Sequence, residues 1–449
     1  MADPTPKTPS LNLPRRWTAA LVVVALAAVG GVVALRLQGH SAQCSADVLL
    51  EGSSPLLSAS QMAQQPDARL DRLASAVTSM GSPFGPVRGG IGYNYDQYLH
   101  LYGVNGGVLA WTKNNAPVTL LDGRTLAPRW SLRPSSNRTA WDSSTDRFLL
   151  LDLAEKDPTR VSSYRLDDGH RRWCTNLSTS QRAGDPVGTA FLDGGDVLVA
   201  LQTEVGTIRL TRLDGRSGHR LWHQDLTGAA RADYVGPLGP DLAVVGGTED
   251  FRLLEGAAAS TGGPEISAIK VADGSVAWTW TAGPQRAAHV VGVAARPDGH
   301  SVLVQEGNAL STDLVALDDS GNQLWKTPLA GTNVQVTLRG EVLVTRSASG
   351  LDAYDATTGK KTWHRDVPTA RTYFPYGFTL GQMPSLDADH VLLPTTTALV
   401  RLDLRNGSAT PYPLPVDGVS TTYWPYQLLV TDTLLGVVTN TGAVLADRE

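Results

Sequence analysis

The sequence predicts an all-β fold, an eight-bladed β-propeller of four-stranded antiparallel blades that follows one N-terminal transmembrane helix. Two observations predict the propeller: glycine stands four residues before tryptophan at recurring positions, and an acidic residue ends the apolar run before each copy. These acidic residues recur at a mean spacing of about 46 residues, the size of one propeller blade. A seven-bladed ring is the alternative. A third observation, an uncharged apolar run of 18 residues near the N-terminus, predicts the helix.

Composition excludes several classes of protein. The chain has 449 residues, a formal net charge of −5 and 18% charged residues. A nucleic-acid-binding protein usually carries a basic stripe, which this balance does not favour. The chain is also too apolar and too weakly charged to be disordered throughout. Its 45 glycines and 11 tryptophans favour a β-rich chain with many tight turns.

The apolar run at residues 18–35 is just long enough to cross a bilayer as a helix. Lys7, Arg15 and Arg16 precede it, so the positive-inside rule places the N-terminus in the cytoplasm. We therefore predict a bacterial cell-membrane protein with a single-pass signal anchor and an extracytoplasmic body. A cleaved signal peptide and a twin-arginine signal are the alternatives, and the residues before Cys44 do not favour a lipoprotein.

The domain plan follows from these features. It has four parts: a cytoplasmic tail at 1–16, the signal anchor at 17–37, an extracytoplasmic linker with a short helix at 38–90, and the propeller at 91–449. Asp67 is the predicted cap of the short helix, which runs to Met80. Residues 81–90, rich in glycine and proline, are predicted to end it.

Two cysteines, Cys44 and Cys174, are the only ones in the chain. An extracytoplasmic location permits a disulfide between them, which would tie the linker to the folded body. Two free thiols are the alternative interpretation.

The repeat is interpreted as a β-turn between two strands. Its acidic residue bonds back to turn amides, its glycine supplies a positive φ, and tryptophan stands in the following strand. The repeat tryptophans are Trp130, Trp173, Trp222, Trp278, Trp325 and Trp363, with Leu126 in place of glycine in the first copy. The last copy stops at Asp447 without a fourth strand. A strand from the N-terminal segment is therefore predicted to complete the last blade and close the ring.

The segment AYDATTGKKTW at residues 353–363 resembles the repeat of the pyrroloquinoline-quinone-type β-propellers, the quinoprotein alcohol dehydrogenase-like superfamily. The resemblance covers about residues 94–449 and implies that the repeat tryptophans pack between neighbouring blades. It also implies one of two functions. Some members are quinone-dependent dehydrogenases, whereas others are non-enzymatic lipoproteins that bind protein partners during assembly of outer-membrane barrels.

The dehydrogenase function would need chemistry that the sequence does not display. Active members of the superfamily use calcium, acidic and amide ligands, a catalytic Asp and often adjacent cysteines. Here the two cysteines lie 130 residues apart, and no cluster of acidic residues or metal-like histidine spacing occurs. We therefore predict no enzyme activity, no cofactor, no catalytic residue and no metal site.

Arginine recurs eight or nine residues after the repeat tryptophan, in the connection between blades. The five copies are Arg138, Arg182, Arg231, Arg286 and Arg371. They are candidate partner-binding residues, because a ring of arginines suits a carboxylate or phosphate group. The alternative is that each arginine pairs with a carboxylate or carbonyls of the neighbouring blade, which the regular spacing favours.

Aromatic residues share these connections. Tyr373, Tyr376, Tyr423 and Trp424 belong to two near-identical segments and are further candidates for partner binding. An aromatic patch beside the arginines would suit a peptide or glycan. Rings that plug the seam of the propeller are the alternative.

The predicted function is a membrane-anchored, non-catalytic binding or scaffold module of the cell envelope. Its expected partner is a protein, peptide or glycan, and no nucleic acid. A quinone- and calcium-dependent dehydrogenase is the alternative.

Overall fold

Eight small antiparallel sheets make up the fold. The computed structural model describes residues 48–50, 56–64, 67–92, 99–112, 117–133, 139–144, 146–152, 159–177, 187–204, 207–227, 234–247, 265–284, 286–308, 310–331, 334–347, 349–366, 383–395, 398–413, 425–439 and 442–449. Val48–Glu449 forms one compact unit. The prediction of eight blades is confirmed, and the seven-bladed alternative is wrong.

The N-terminal part of this unit contributes strands to two blades. In chain order its elements are β1 (Val48–Leu50), β2 (Leu57–Ser58), α1 (Ala59–Gln64), α2 (Ala68–Ser79) and β3 (Phe84–Gly92).

The following blades are built from consecutive strands. Blade 1 has β4 (Leu99–Val104), β5 (Gly107–Thr112), β6 (Val118–Asp122) and β7 (Pro128–Arg133); blade 2 has β8 (Thr139–Ser143), β9 (Arg147–Asp152), β10 (Arg160–Arg165) and β11 (Arg171–Asn176); blade 3 has β12 (Val187–Phe191), β13 (Val197–Glu204), β14 (Thr207–Leu213) and β15 (Arg220–Thr227); blade 4 has β16 (Tyr234–Leu238), β17 (Leu242–Gly246), β18 (Ile266–Lys270) and β19 (Val276–Trp280). The first strand of each blade is the inner one and the fourth is the outer one. A 3-10 turn at Asp193–Gly195 joins β12 to β13.

The second half of the ring continues this pattern. Blade 5 has β20 (Ala287–Arg296), β21 (Gly299–Gly307), β22 (Thr312–Leu317) and β23 (Gln323–Leu329); blade 6 has β24 (Gln335–Arg339), β25 (Val342–Ser347), β26 (Gly350–Asp355) and β27 (Lys361–Asp366); blade 7 has β28 (His390–Pro394), β29 (Ala398–Asp403) and β30 (Ala409–Pro413); blade 8 has β31 (Pro425–Val430), β32 (Leu434–Thr439) and β33 (Gly442–Arg448). In blade 7 the inner edge has a bridge between Ser385 and Val391.

The last blade takes its fourth strand from the N-terminal segment, as predicted. β3 pairs antiparallel with β33, for example Gly90 with Val444. The predicted boundary between linker and propeller at 90/91 falls inside β3. A Cβ at Gly90 would lie 2.5 Å from the Ala443 carbonyl oxygen, so this close approach requires glycine. The glycine-rich segment therefore forms a strand where the sequence predicts only the end of a helix.

The predicted short helix is confirmed as α2. Asp67 caps it, because its Oδ1 accepts a hydrogen bond from the Leu70 amide at 3.4 Å. Leu70, Leu73 and Val77 lie buried on one face of α2. They pack against apolar side chains of blades 7 and 8, so the helix covers the junction where the ring closes.

The hydrophobic core is divided among the junctions between blades. Eight clusters of buried apolar side chains each combine residues of two neighbouring blades. At the junction of blades 1 and 2, for example, the Trp130 and Phe148 rings stack with centroids 5.4 Å apart. The apolar area that these sheets bury therefore stabilises the contact between blades as much as each blade itself.

In the repeats from Asp122 to Asp403, the acidic residue organises a turn before the outer strand, whereas Asp447 lies in β33 and bonds to Arg88. Asp355 Oδ1 accepts hydrogen bonds from the Thr357 amide at 3.0 Å and the Thr358 amide at 2.7 Å. Other copies bond to turn amides in the same way, which confirms the predicted role. A hydrogen bond from Arg129, together with the turn amides, holds the pKa of Asp122 well below its usual range.

The residue that closes this turn has a positive φ, and its amide donates to a carbonyl three or four residues before it. Glycine supplies this φ in six copies, with φ between 67° and 81°, at Gly169, Gly218, Gly274, Gly321, Gly359 and Gly407. Leu126 occupies the same position in blade 1 and adopts φ 57°, which is uncommon for a side chain of this kind. The backbone of the repeat is thus retained where the glycine is lost.

An interblade joint forms where each repeat tryptophan meets the turn of the next blade. The Trp173 Nε1 donates a hydrogen bond to the Gly215 carbonyl at 3.0 Å, and a Cβ at Gly218 would lie 2.6 Å from the Trp173 ring. Equivalent hydrogen bonds join Trp130 to Leu166, Trp222 to Val271, Trp278 to Asp319 and Trp363 to Leu404. Glycine is therefore needed in the turn both for its φ and for the approach of the ring.

Tyrosine replaces tryptophan at the joint between blades 7 and 8. Tyr412 donates a hydrogen bond from its hydroxyl to the Ser82 carbonyl at 3.1 Å. Its ring meets Phe84 edge to face with centroids 5.7 Å apart. Ser82 and Phe84 precede or begin β3, so the joint still ends on the blade that the N-terminal strand completes.

The hydrogen bond of the joint can be tested with a matched pair of variants. Trp222 donates to the Val271 carbonyl at 3.0 Å, whereas Trp325 Nε1 has no acceptor among the described residues. Both rings are partly buried and pack on a turn glycine. We expect Trp222→Phe to cost about 1 kcal/mol more unfolding free energy than Trp325→Phe, because only the first loses a hydrogen bond. Denaturant unfolding of both variants measures the difference, and equal losses would contradict this account.

Candidate functional site: the Arg286 connection

One of the five predicted arginines, Arg286, lies in the part of the chain that the structure describes. It stands between the outer strand β19 of blade 4 and the inner strand β20 of blade 5, as the repeat predicts. The remaining candidates for partner binding lie outside the described residues: Arg138, Arg182, Arg231, Arg371, Tyr373, Tyr376, Tyr423 and Trp424. Their role stays a prediction.

The Arg286 guanidinium is held by the next blade. Its Nε lies 3.0 Å from Glu306 Oε1, and its Nη2 donates to Asp313 Oδ2 at 2.8 Å. Further hydrogen bonds reach the Glu306 carbonyl and Ser311 Oγ, each at 3.0 Å. At this position the structure shows an arginine paired with carboxylates and a carbonyl of the neighbouring blade, which is the predicted alternative to a partner-binding role.

Lys326 completes this ion-pair cluster. Its Nζ lies 2.8 Å from Glu306 Oε2 and 3.1 Å from Asp313 Oδ2. Two cations therefore face two largely buried carboxylates, which balances the charge of the four groups. Through these ion pairs, the connection that follows blade 4 is bound to the strands of blade 5.

A second buried carboxylate, Glu265, binds the backbone of the same connection between blades 4 and 5. Glu265 precedes β18 and is 3% exposed, and its Oε2 accepts a hydrogen bond from the Ala282 amide at 3.3 Å. Glu306 Oε1 accepts from the next amide, Gly283, at 3.0 Å. Two glutamates from neighbouring blades thus bind consecutive amides of residues 281–286.

The two glutamates differ in protonation. Burial, with a smaller contribution from the charge of Glu306, raises the pKa of Glu265 from 4.5 to about 7. Burial opposes ionisation of Glu306 as well, but bonds from Lys326 and the Gly283 amide outweigh it, so its pKa is lowered. A carboxylate with opposite charges at hydrogen-bond distance stays ionised, whereas one without them takes up a proton more readily.

The sequence does not predict four members of this site: Glu265, Glu306, Asp313 and Lys326. Glu306 follows the apolar segment VLVQ at residues 302–305, and a charged residue at the end of a buried strand is the signal that was available. Its partners Arg286, Lys326 and the Gly283 amide lie 20 to 23 residues away in sequence, on the preceding connection or on another strand. Spacing alone therefore does not show that they meet.

Cys174 lies in β11, the outer strand of blade 2, and is disulfide-bonded. Cys44, the other cysteine of the chain, lies outside the described residues. The pairing of Cys44 with Cys174 stays a prediction.

Metal-binding and membrane-spanning features can be assessed only for the described ranges. Within them, no group of three or more His, Cys, Asp or Glu side chains is placed to hold a metal ion. The α-helices found there are too short to span a bilayer, and the predicted anchor at 17–37 lies outside these ranges.

The fold and the repeat joints define a class, that of eight-bladed propellers with a tryptophan docked on the turn of the next blade. The sequence matches the family described as outer membrane protein assembly factor BamB over residues 96–248 and 262–411. Because the match covers more than half of the chain, the protein belongs to this family. The predicted resemblance to the pyrroloquinoline-quinone-type propellers is confirmed. No curated protein matches the chain in sequence.

Solved structures share the fold at low sequence identity. The Dos1 propeller is 10% identical with a TM-score of 0.53, and the match covers 80% of this chain and 93% of that one. Quinohemoprotein alcohol dehydrogenase from Comamonas testosteroni is 12% identical with a TM-score of 0.51, covering 83% and 77%. BamB from Moraxella catarrhalis is 17% identical with a TM-score of 0.47, covering 80% and 96%. The first two similarities show the fold alone.

Removing the guanidinium should destabilise the propeller. Loss of one partner from a buried ion pair costs about 3–5 kcal/mol. Lys326 still faces both carboxylates in Arg286→Ala, so we expect a smaller loss, roughly 2–3 kcal/mol. Arg216→Ala, in an exposed turn of blade 3, is the control and should change the unfolding free energy by less than about 0.5 kcal/mol. Equal stability of the two variants would show that Arg286 is not structural.

Protonation of Glu265 predicts a pH dependence. Its pKa is raised on folding, so the folded state favours the protonated carboxyl. The native protein therefore loses stability as pH rises from about 4.5, the ordinary pKa of this group, through about 7. Glu265→Gln keeps a neutral side chain, so its thermal midpoint should exceed that of the native protein increasingly between pH 5 and pH 8. A difference independent of pH would contradict the raised pKa.

Proposed function

We propose that the protein is a membrane-anchored, extracytoplasmic β-propeller that acts as a non-catalytic binding or scaffold module in the bacterial cell envelope. The observation that carries the proposal is the match of two long segments to the family of an outer membrane protein assembly factor. The name of that family describes assembly of other proteins. We transfer the scaffold function to this chain as a hypothesis.

The acidic residues, the tryptophans and Arg286 of the repeat bind groups within the propeller, which bears on where a partner binds. The acidic residues hold turn amides, and five of the six repeat tryptophans donate to carbonyls of the next blade. Arg286 is held by Glu306 and Asp313. These groups serve the joints between blades, so partner binding is assigned to the other connections, where the remaining arginines and the aromatic segments stand in the sequence.

The anchor and the location rest on sequence and chemistry. The run at 18–35 has the length of a membrane span, and basic residues precede it. The bonded state of Cys174 is consistent with an oxidising compartment. A protein, peptide or glycan of the envelope is the proposed partner.

A quinone- and calcium-dependent dehydrogenase is the second candidate. One observation favours it: the fold is shared with a quinohemoprotein alcohol dehydrogenase. The described residues do not supply the clustered oxygen ligands that calcium requires. We therefore rank it below the scaffold.

Two variants of the full chain in its native membranes test the scaffold function. We expect Arg182→Ala with Arg231→Ala to lose crosslinks to envelope partners while the thermal midpoint is unchanged. Arg216→Ala with Arg405→Ala removes the same charge from exposed turns that precede the outer strands of blades 3 and 7, and should keep the crosslinks. Retained crosslinks in the first variant would contradict the assigned surface. Dye reduction with added pyrroloquinoline quinone and calcium would favour the dehydrogenase.

A further inference from the structure

The outer edges of the blades differ in what covers them. β1 pairs with β7 and extends blade 1 to five strands, and β2 pairs with β3 and extends blade 8 in the same way. Both added strands run antiparallel to the strand that they cover. The outer edge of a blade in this propeller therefore accepts a fifth, extended segment, since two segments of the chain itself occupy that position.

Most of the other outer strands carry residues that oppose further pairing. An unpaired edge exposes N–H and C=O groups, and natural proteins protect such an edge with charged side chains and proline. The protecting residues in the described outer strands are Arg171 and Arg172 in β11; Arg220 and Asp225 in β15; Lys326 and Pro328 in β23; Lys361, Arg365 and Asp366 in β27; and Pro411 and Pro413 in β30. These strands therefore resist the addition of another strand.

β19, the outer strand of blade 4, has no such protection. Its sequence VAWTW contains neither a charged residue nor proline. In the described part of the chain, β18 is its only partner strand. Val276 is 42% exposed, and Ala277 and Thr279 are exposed as well. β19 therefore presents an accessible, uncharged edge, and valine, threonine and tryptophan all favour β-strands.

The position of β1 on β7 shows which residues of blade 4 an added strand contacts. β1 lies opposite Ser131–Arg133, the three residues that follow the repeat tryptophan of blade 1. The equivalent residues of blade 4 are Thr279 and Trp280 at the end of β19 and Thr281 after it. Thr279 and Thr281 are exposed, whereas Trp280 is partly buried against the core between blades 4 and 5.

The chemistry of this edge limits what can pair with it. A charged side chain placed against an uncharged, partly apolar edge loses hydration without gaining a partner. The segment VLL that covers blade 1 as β1 is itself uncharged. An uncharged, extended segment therefore suits β19 best.

We propose that β19 binds a partner protein by strand addition: an extended, uncharged segment of the partner pairs antiparallel with β19 and becomes the fifth strand of blade 4. The inference rests on the proposed binding function and names one surface that serves it. Backbone hydrogen bonds provide the affinity in this mode of recognition, and side chains at alternate positions of the added strand provide the specificity.

Amide hydrogen exchange of the purified full chain tests the proposal with a synthetic peptide of residues 45–53, the segment that contains β1. With the peptide in large excess, we expect exchange within residues 278–281 to slow several-fold, because the outward N–H groups of this edge gain acceptors. The same peptide carrying Leu49→Pro should have no effect, since proline interrupts the added strand. Exchange in β7, which β1 already covers, is the internal reference.

Two matched double variants locate the strand that binds the peptide. Ala277→Lys with Thr279→Lys places charges on both sides of the repeat tryptophan in β19 and should abolish the effect of the peptide. Leu221→Lys with His223→Lys places them on both sides of the repeat tryptophan in β15 and should preserve it. All four positions are exposed.

Three results would overturn the proposal. Slow exchange of residues 278–281 in the chain alone, at every protein concentration, would show that another segment of the chain covers the edge. Slow exchange that appears only as the protein concentration rises would place a second copy there. Unchanged exchange with the peptide would exclude strand addition at β19, whereas the proposed function would still stand if the crosslinks that depend on Arg182 and Arg231 persist.

Discussion

The docking of a tryptophan on the turn of the next blade is the interaction on which the ring depends. Each blade is a small sheet whose apolar side chains are buried by its neighbours, so it has little core of its own. The indole, its N–H donor and the glycine beneath it set the distance between two sheets. The acidic residue orders the turn that receives the ring. Three residue types therefore provide the turn and the contact between blades together.

Because the same three residue types form both the turn and the contact between blades, the sequence predicts much of the fold. Asp, Gly and Trp act over a few residues, so their spacing shows where each turn and outer strand stands, even where Leu126 replaces glycine. β3 is different, because its glycines and proline indicate a helix end and its partner strand is far away in the chain. Tyr412 escapes the pattern because it stands five residues after Gly407, whereas the repeat tryptophan stands four residues after its glycine and Pro411 occupies that position here.

The Arg286 connection shows why the site is harder to predict than the fold. Arg286 itself follows the repeat, and its position between blades is predicted correctly. Its partners are determined by which strand ends meet in space. The spacing of residues in the sequence therefore predicts neither the ion pairs with Glu306 and Asp313 nor the raised pKa of Glu265. An arginine at this repeat position binds either the neighbouring blade or a ligand. Which of the two it binds depends on nearby carboxylates, and these do not recur with the repeat.

The pairing of β3 with β33 also determines the order in which the blades can form during synthesis of the chain. Arg88 in β3 bonds to Asp447 in β33, a separation of 359 residues. Ribosomes add about 5–20 residues per second, so β3 leaves the ribosome roughly 20–70 s before its partner exists. During that interval seven blades can form in sequence, while the eighth cannot. The pairing of β3 with β33 therefore forms only after β33 has been synthesised, which makes closure of the ring a late step.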